Sequence, residues 1–185
     1  MAGAARGTEV VTPREIEEYR ALRATIRERG TARAWIGWIG LAGWAALTIA
    51  TAALAPLPAA TLLPLLALAA AFESVLSLHT GVERIGRYLQ VFFEDETSDQ
   101  GWEHRIMAFG RQVPGGGDPL LAAYFWLAGV LNLLPAVLAE PVPIEWAVVG
   151  LAHLVFVVRV GLGRRNAARQ RALDLERFRQ LKRSP

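Results

Sequence analysis

The sequence predicts an all-α integral membrane protein with four transmembrane helices in two hairpins, the second helix extended into the cytoplasm and accompanied there by amphipathic helices. Three observations carry this. No Asp, Glu, Lys or Arg occurs from 34 to 72. As one helix that run would be ~59 Å long, about twice the ~30 Å hydrocarbon core, so it must double back. A second apolar block occupies 119–162. The 20 basic residues fall in the leading segment through Arg33, in the 73–119 connection and in the tail from Arg159, and the short turns at 54–59 and 139–145 contain none. That partition places both termini and the central loop in the cytoplasm.

Of the 185 residues 53% are apolar, and the 17 acids roughly balance the bases. In a soluble domain such charges would be dispersed along the chain; here they are segregated. The absence of cysteine removes disulfide frameworks, thiolate catalysis and cysteine-based metal centres. The first apolar stretch begins after thirty-three residues and is too long for a signal-peptide core, so a cleaved leader is not expected.

Taken in order, residues 1–33 form a cytoplasmic amphipathic helix. Thr12 is its cap, Pro13 occupies the first helical position and Glu15 closes a capping box, while Ile16, Tyr19, Leu22 and Ile26 make one apolar stripe. Gly30 permits a bend before the membrane. Residues 34–80 form the first hairpin, with spans at 34–53 and from 60 and a break at Pro56 and Pro58. Residues 81–118 form a stalk and a glycine-rich hinge. The helical spacing of Val75, Val82, Ile85, Leu89, Phe92 and Phe93 continues the second span to about Glu94. This stripe needs cover from the leading helix, a second subunit or both. Glu94, Asp95, Glu96 and Asp99 make a solvated acidic turn that lacks a calcium-loop spacing, and Asp99 can cap a short helix bearing Trp102, Ile106 and Phe109.

Residues 119–162 form the second hairpin, with spans at 119–138 and 143–162; Glu145 sits at the headgroups and Arg159 snorkels to the opposite side. Trp35, Trp38, Trp126 and Trp146 suit the membrane interfaces, whereas Trp44 lies deeper and packs on another helix. Residues 163–185 form a basic helical tail whose expected counterions are anionic lipid headgroups, not nucleic acid.

The segment Ile85–Glu94 (IGRYLQVFFE) followed by Gly101–Arg105 (GWEHR), with the earlier EYRALR, resembles a pattern in small, functionally uncharacterised bacterial membrane proteins. The resemblance covers about a quarter of the chain. It implies a bacterial inner-membrane location and supplies no chemistry.

Intramembrane polar residues are the candidate functional groups, namely Glu73, His153, Asn132 and His79. Depth makes His153 the expected partner of Glu73, either as a proton or cation relay or as a buried pair that fixes helix register or a subunit interface; the remaining case is a shallow Glu73 that reaches the cytoplasmic water. His79 and Glu83, four apart, also suit a surface ion pair. The three histidines lack clustered ligand spacing, and no nucleophile motif or cofactor loop occurs, so no metal, cofactor or enzymatic activity is expected. The leading expectation is a non-enzymatic scaffold that self-associates into a homo-oligomer through Ile85, Leu89, Phe92 and Phe93. A small oligomeric ion pathway using Glu73 is the alternative, and a small transporter ranks third.

Overall fold

The computed structural model describes residues 12–55, 57–94, 101–112 and 119–184. Within them the chain is helical throughout: α1 (Pro13–Leu54), a 3-10 turn (Pro58–Thr61), α2 (Leu62–Phe92), α3 (Trp102–Gln112), α4 (Pro119–Leu131), α5 (Leu134–Leu138) and α6 (Pro143–Arg183). Helices α1, α2 with its 3-10 turn, and α6 are long and apolar enough to cross a membrane, while 122–138 forms a shorter apolar helical segment. The expected break at Pro56, the acidic residues Asp95, Glu96 and Asp99, and the glycine hinge at 113–118 lie outside the described residues.

The expected cap of α1 is present. Glu15 N–H donates to Thr12 Oγ1 at 3.3 Å, and Thr12 N–H donates back to Glu15 Oε2 at 2.6 Å. These bonds to Thr12 hold the exposed Glu15 carboxyl below its usual range. The bend at Gly30 does not occur. Helix α1 runs unbroken through it, since nothing lies within 4 Å of the space a Gly30 side chain would take and no neighbour forces the chain aside. At 42 residues α1 is ~63 Å long, and α6, at 41 residues, is ~61 Å long, so the expected fourth span and basic tail form one helix.

The expected third span is divided. Pro135 has no N–H to continue the helical ladder, and Asn132 and Leu133 form a turn between α4 and α5. Asn132 N–H still donates to Ala128 O at 2.8 Å, so α4 closes its last turn before the break.

Contacts between helices set their directions. Along α1 and α2, Gly40 meets Ala71, Gly37 faces Val75, Arg33 bonds His79 and Glu18 bonds Tyr88, a descending series that makes the pair antiparallel. Along α2 and α6 the pairs ascend: Glu73 with Arg159, Glu83 with Arg171, Arg84 with Asp174, and the Val91 carbonyl with Lys182. These two helices therefore run side by side in the same direction. Helix α4 runs against α6, with Gly129 on Phe156 and Trp126 on the Val157 carbonyl.

The core lies where α2, α4 and α6 meet. Leu68, Phe72, Val75, Phe125 and Val160 are almost fully buried, and Phe72 stands edge-on to Phe125 and Phe156 at ring separations of 5.2 and 6.5 Å. None of α1's residues is fully buried, so α1 is attached mainly through its contact with α2. That contact depends on small residues. A Cβ at Gly40 would collide with Ala71 Cβ, whereas Gly43 faces open space. Gly40→Val should therefore lower detergent-solubilised stability by ~1–3 kcal/mol through overpacking. Gly43→Ala should be neutral or stabilise by up to ~1 kcal/mol. Equal effects of the two in a chemical or thermal melt would contradict the close-approach account.

Candidate functional site

The described residues contain one fully connected polar cluster inside the apolar part of the fold, centred on Asn132. The turn forced by Pro135 leaves the Asn132 side chain, which is completely buried, facing three other segments. Its Oδ1 accepts from Trp44 Nε1 at 2.9 Å and lies 3.3 Å from the hydroxyl of Thr48, whose one proton is shared with the nearer Trp44 carbonyl at 2.9 Å; both residues are on α1. Its Nδ2 donates to the Thr61 carbonyl at 2.9 Å and to His153 Nε2 at 3.0 Å. His153 Nδ1 lies 2.8 Å from the Val149 carbonyl.

These partners determine the proton positions. An indole N–H only donates, so the atom facing Trp44 is the amide oxygen. A carbonyl only accepts, so His153 carries its proton on Nδ1 and presents a lone pair on Nε2 to Asn132. Both amide protons of Asn132 and its oxygen are then engaged, and both ring nitrogens of His153 are committed. Protonating Nε2 would cost the bond from Asn132, so the cluster is arranged to join segments and has no spare proton acceptor on His153.

Trp44 is ten residues from the Leu54 end of α1, and His153 ten residues from the Pro143 end of α6. Each interval is ~15 Å, so the cluster lies at about the same distance from both ends. Glu73 is not part of it. Its carboxylate accepts from Arg159 Nη2 at 2.7 Å, with the two side chains 48% and 44% exposed, so the expected Glu73–His153 pair is replaced by an ion pair open to the outside. Arg159 reaches Glu73 because α2 and α6 are parallel neighbours and its guanidinium also lies 6.0 Å from the Phe72 ring.

Beyond this pair the three long helices are joined by charged groups. Arg33 donates to His79 Nδ1 at 2.7 Å, His79 Nε2 faces Glu83 at 3.6 Å, and Arg171 bonds the other Glu83 oxygen at 2.5 Å, so α1, α2 and α6 meet in one chain of contacts. Asp174, itself buried, receives Arg84 at 3.3 Å and Gln170 at 2.9 Å. Lys182 Nζ donates to the Val91 carbonyl in the last turn of α2 at 2.6 Å, as a basic side chain at a helix C-terminus can.

The apolar stripe of α2 is covered within the chain except at Phe92, which stays 37% exposed. Leu89 is fully buried, Phe93 packs on Tyr19 at 5.7 Å, and Phe92 contacts Tyr88 and Phe178 at 4.7 and 6.3 Å; Ile85 is half-buried. Helix α3 is held by Glu94. Its carboxylate accepts the backbone N–H of Glu103 at 2.8 Å and of His104 at 3.1 Å, and also the His104 ring N–H at 2.8 Å. Gly101 lets that carboxylate approach, since a Cβ there would overlap it. Glu103 packs over Gly86 and receives Arg23 Nη1 at 2.8 Å. Trp102, Ile106 and Phe109, spaced to share one face of α3, remain exposed.

Asn132 and His153 are thus brought together, while Glu73 pairs with Arg159 and His79 lies elsewhere, between Arg33 and Glu83. Trp44, Thr48 and Thr61 complete the Asn132 cluster, and a tryptophan and a threonine four apart within the uncharged second half of α1 were its available sequence signal. No group of three or more acidic or histidine side chains placed to hold a metal occurs among the described residues. Comparison of the chain with family models, with curated proteins and with solved structures returned no match.

Burial raises the Glu103 carboxyl above its ordinary value, and the nearby Arg23 guanidinium offsets this only in part. The folded state therefore holds the Glu103 proton more tightly than the unfolded chain. This contribution to stability is full below the unfolded pKa and is lost as pH rises through the folded one. The Glu103 contribution to the docking of α3 should therefore grow as pH falls from neutral, and Glu103→Gln should remove that component of the pH dependence. Hydrogen exchange of α3 amides as pH is lowered tests it; the same pH slope in Glu103→Gln would contradict it.

Proposed function

We propose that the chain is a four-crossing protein of a bacterial inner membrane that carries a cytoplasmic helical stalk and acts as a non-enzymatic, self-associating scaffold. The observation that carries this is the continuation of α1, α2 and α6 past the ~20 residues a crossing requires, in a shared bundle joined by ion pairs. The remaining crossing, third in chain order, is the broken α4–α5 segment, 119–138, which the Asn132 cluster ties to α1, the 3-10 turn and α6. With Lys and Arg absent from both short turns, the stalk and both termini are cytoplasmic. Exposed Arg164 and Arg165 then meet anionic headgroups where α6 leaves the membrane.

The scaffold reading is preferred to an ion pathway because Glu73 and His153 have different partners, and both His153 nitrogens are already bonded. Self-association is assigned to the exposed face of α3, since the α2 stripe is occupied by Tyr19 and Phe178. Trp102→Ser combined with Phe109→Ser should reduce the solubilised particle to one 20.2 kDa chain without lowering its melting temperature. Leu89→Glu should instead destabilise the chain itself by several kcal/mol, because it places a charge in a fully buried position. Light scattering with detergent correction reads both; a monomeric wild type, or an unchanged mass in the double variant, would contradict assembly through α3.

The cysteine-free chain also permits direct topology mapping. Leu57→Cys and Leu138→Cys, at exposed positions, should react with an impermeant maleimide in spheroplasts, and Ser184→Cys only after lysis. Labelling of Ser184→Cys in intact spheroplasts would overturn the four-crossing topology.

A further inference from the structure

Two grooves between α2 and α6 meet at the Glu73–Arg159 pair. One, of ≈400 Å³, is lined by Leu62, Leu65, Leu66, Ala69, Phe72 and Phe156, with Glu73 and Arg159 at its end. The other, also ≈400 Å³, runs on from the same two residues past Ser77, Thr80, Asn166 and Gln170 toward Arg84. One is hydrocarbon-lined and the other polar, and the ion pair marks the boundary.

We propose that this double groove binds one phospholipid whose headgroup carries a primary amine, with an acyl chain in the apolar part, the phosphate on Arg159 and the ammonium on Glu73. The inference rests on the membrane reading above. Geometry supports the chain position: Leu62 to Glu73 is eleven residues, ~16 Å, close to half the ~30 Å hydrocarbon thickness. The polar groove lies on the stalk side, so the lipid belongs to the cytoplasmic leaflet.

Charge supports the headgroup. The Glu73–Arg159 bond engages one guanidinium N–H and one carboxylate oxygen, and both side chains are about half exposed, so each retains hydrogen-bonding capacity toward the groove. Together they are neutral and dipolar, which complements a zwitterion, whereas a purely anionic headgroup would meet the Glu73 carboxylate. The other arginine of the polar groove, Arg84, is already paired with Asp174. Discrimination between amines follows from hydrogen bonding: a primary ammonium donates N–H groups to a carboxylate, and a quaternary one has none.

The test is native mass spectrometry of the full chain in detergent, titrated separately with phosphatidylethanolamine, phosphatidylcholine and phosphatidylglycerol of identical acyl chains. Wild type should retain one phosphatidylethanolamine about tenfold more tightly than either competitor. Glu73→Gln should erase the preference over phosphatidylcholine while keeping a bound lipid, Arg159→Gln should weaken all three, and Ala69→Phe should displace the lipid by filling the apolar groove. Melting temperatures of the same samples distinguish lost binding from lost folding. Equal retention of the three lipids by wild type, or an undiminished preference in a folded Glu73→Gln, would overturn the proposal. So would a doubled particle mass that added lipid reverses, which would make the groove an interface between copies. Failure of the chain to partition into membranes before extraction would count against the membrane reading, separately from these outcomes.

Discussion

Asn132 occupies a break in a helix and bonds three other segments through one carboxamide. The break exists because Pro135 cannot donate to the helical ladder, and a turn in an apolar setting has to satisfy its polar groups internally. Asn132 joins that turn to the rest of the fold by accepting from Trp44 and by donating to the Thr61 carbonyl and to His153. The first helix, the 3-10 turn and the last helix are thereby held to the α4–α5 turn. Since α1 has no fully buried residue, these bonds and the small-residue contact at Gly40 fix its place. An incompletely paired amide here would be costly; a fully paired one specifies register.

The arrangement at this level is continued by progressively more polar contacts along α2 and α6. Aromatic packing around Phe72 gives way to the half-exposed Glu73–Arg159 pair, then to Glu83–Arg171 and Arg84–Asp174, and finally to Lys182 on the end of α2. Individual exposed ion pairs contribute little, but here they recur in register between parallel helices. Their effect is to reject slipped alignments, which would place like charges or apolar side chains opposite each other. The bundle that results presents Trp102, Ile106 and Phe109 of α3 on its outside, anchored by Glu94 and Glu103.

Features governed by local chemistry were legible in the sequence. The Thr12–Glu15 box starts α1, the unbroken periodicity from the second span into the stalk appears as α2, and His79 lies beside Glu83 as its spacing suggested. Features governed by partners were less so. Gly30 looked like a bend, yet no neighbour acts on it. Glu73 was matched to His153 by depth, but Arg159 has a longer side chain and a parallel neighbour to reach across, and sequence carries no direct record of that neighbour. Asn132 was visible as a polar residue in an apolar run; that it would gather Trp44, Thr48, Thr61 and His153 depends on the turn made by Pro135 in α5, far along the chain from Trp44 in α1. Leu89 and Phe93 called for cover from the leading helix, a second subunit or both, and α1 provides cover through Tyr19 on Phe93.

The most direct test of the Asn132 account is a double-mutant cycle between Trp44→Phe and Asn132→Leu, measured by reversible unfolding in a fixed detergent mixture. Trp44→Phe removes the indole donor while retaining most of the ring, and Asn132→Leu removes the shared acceptor. The account predicts that each variant is destabilised and that the two are coupled by about 1 kcal/mol, within the range for interhelical hydrogen bonds in membranes. Strict additivity, with coupling below ~0.3 kcal/mol, or an Asn132→Leu chain as stable as wild type, would contradict the role assigned to this cluster.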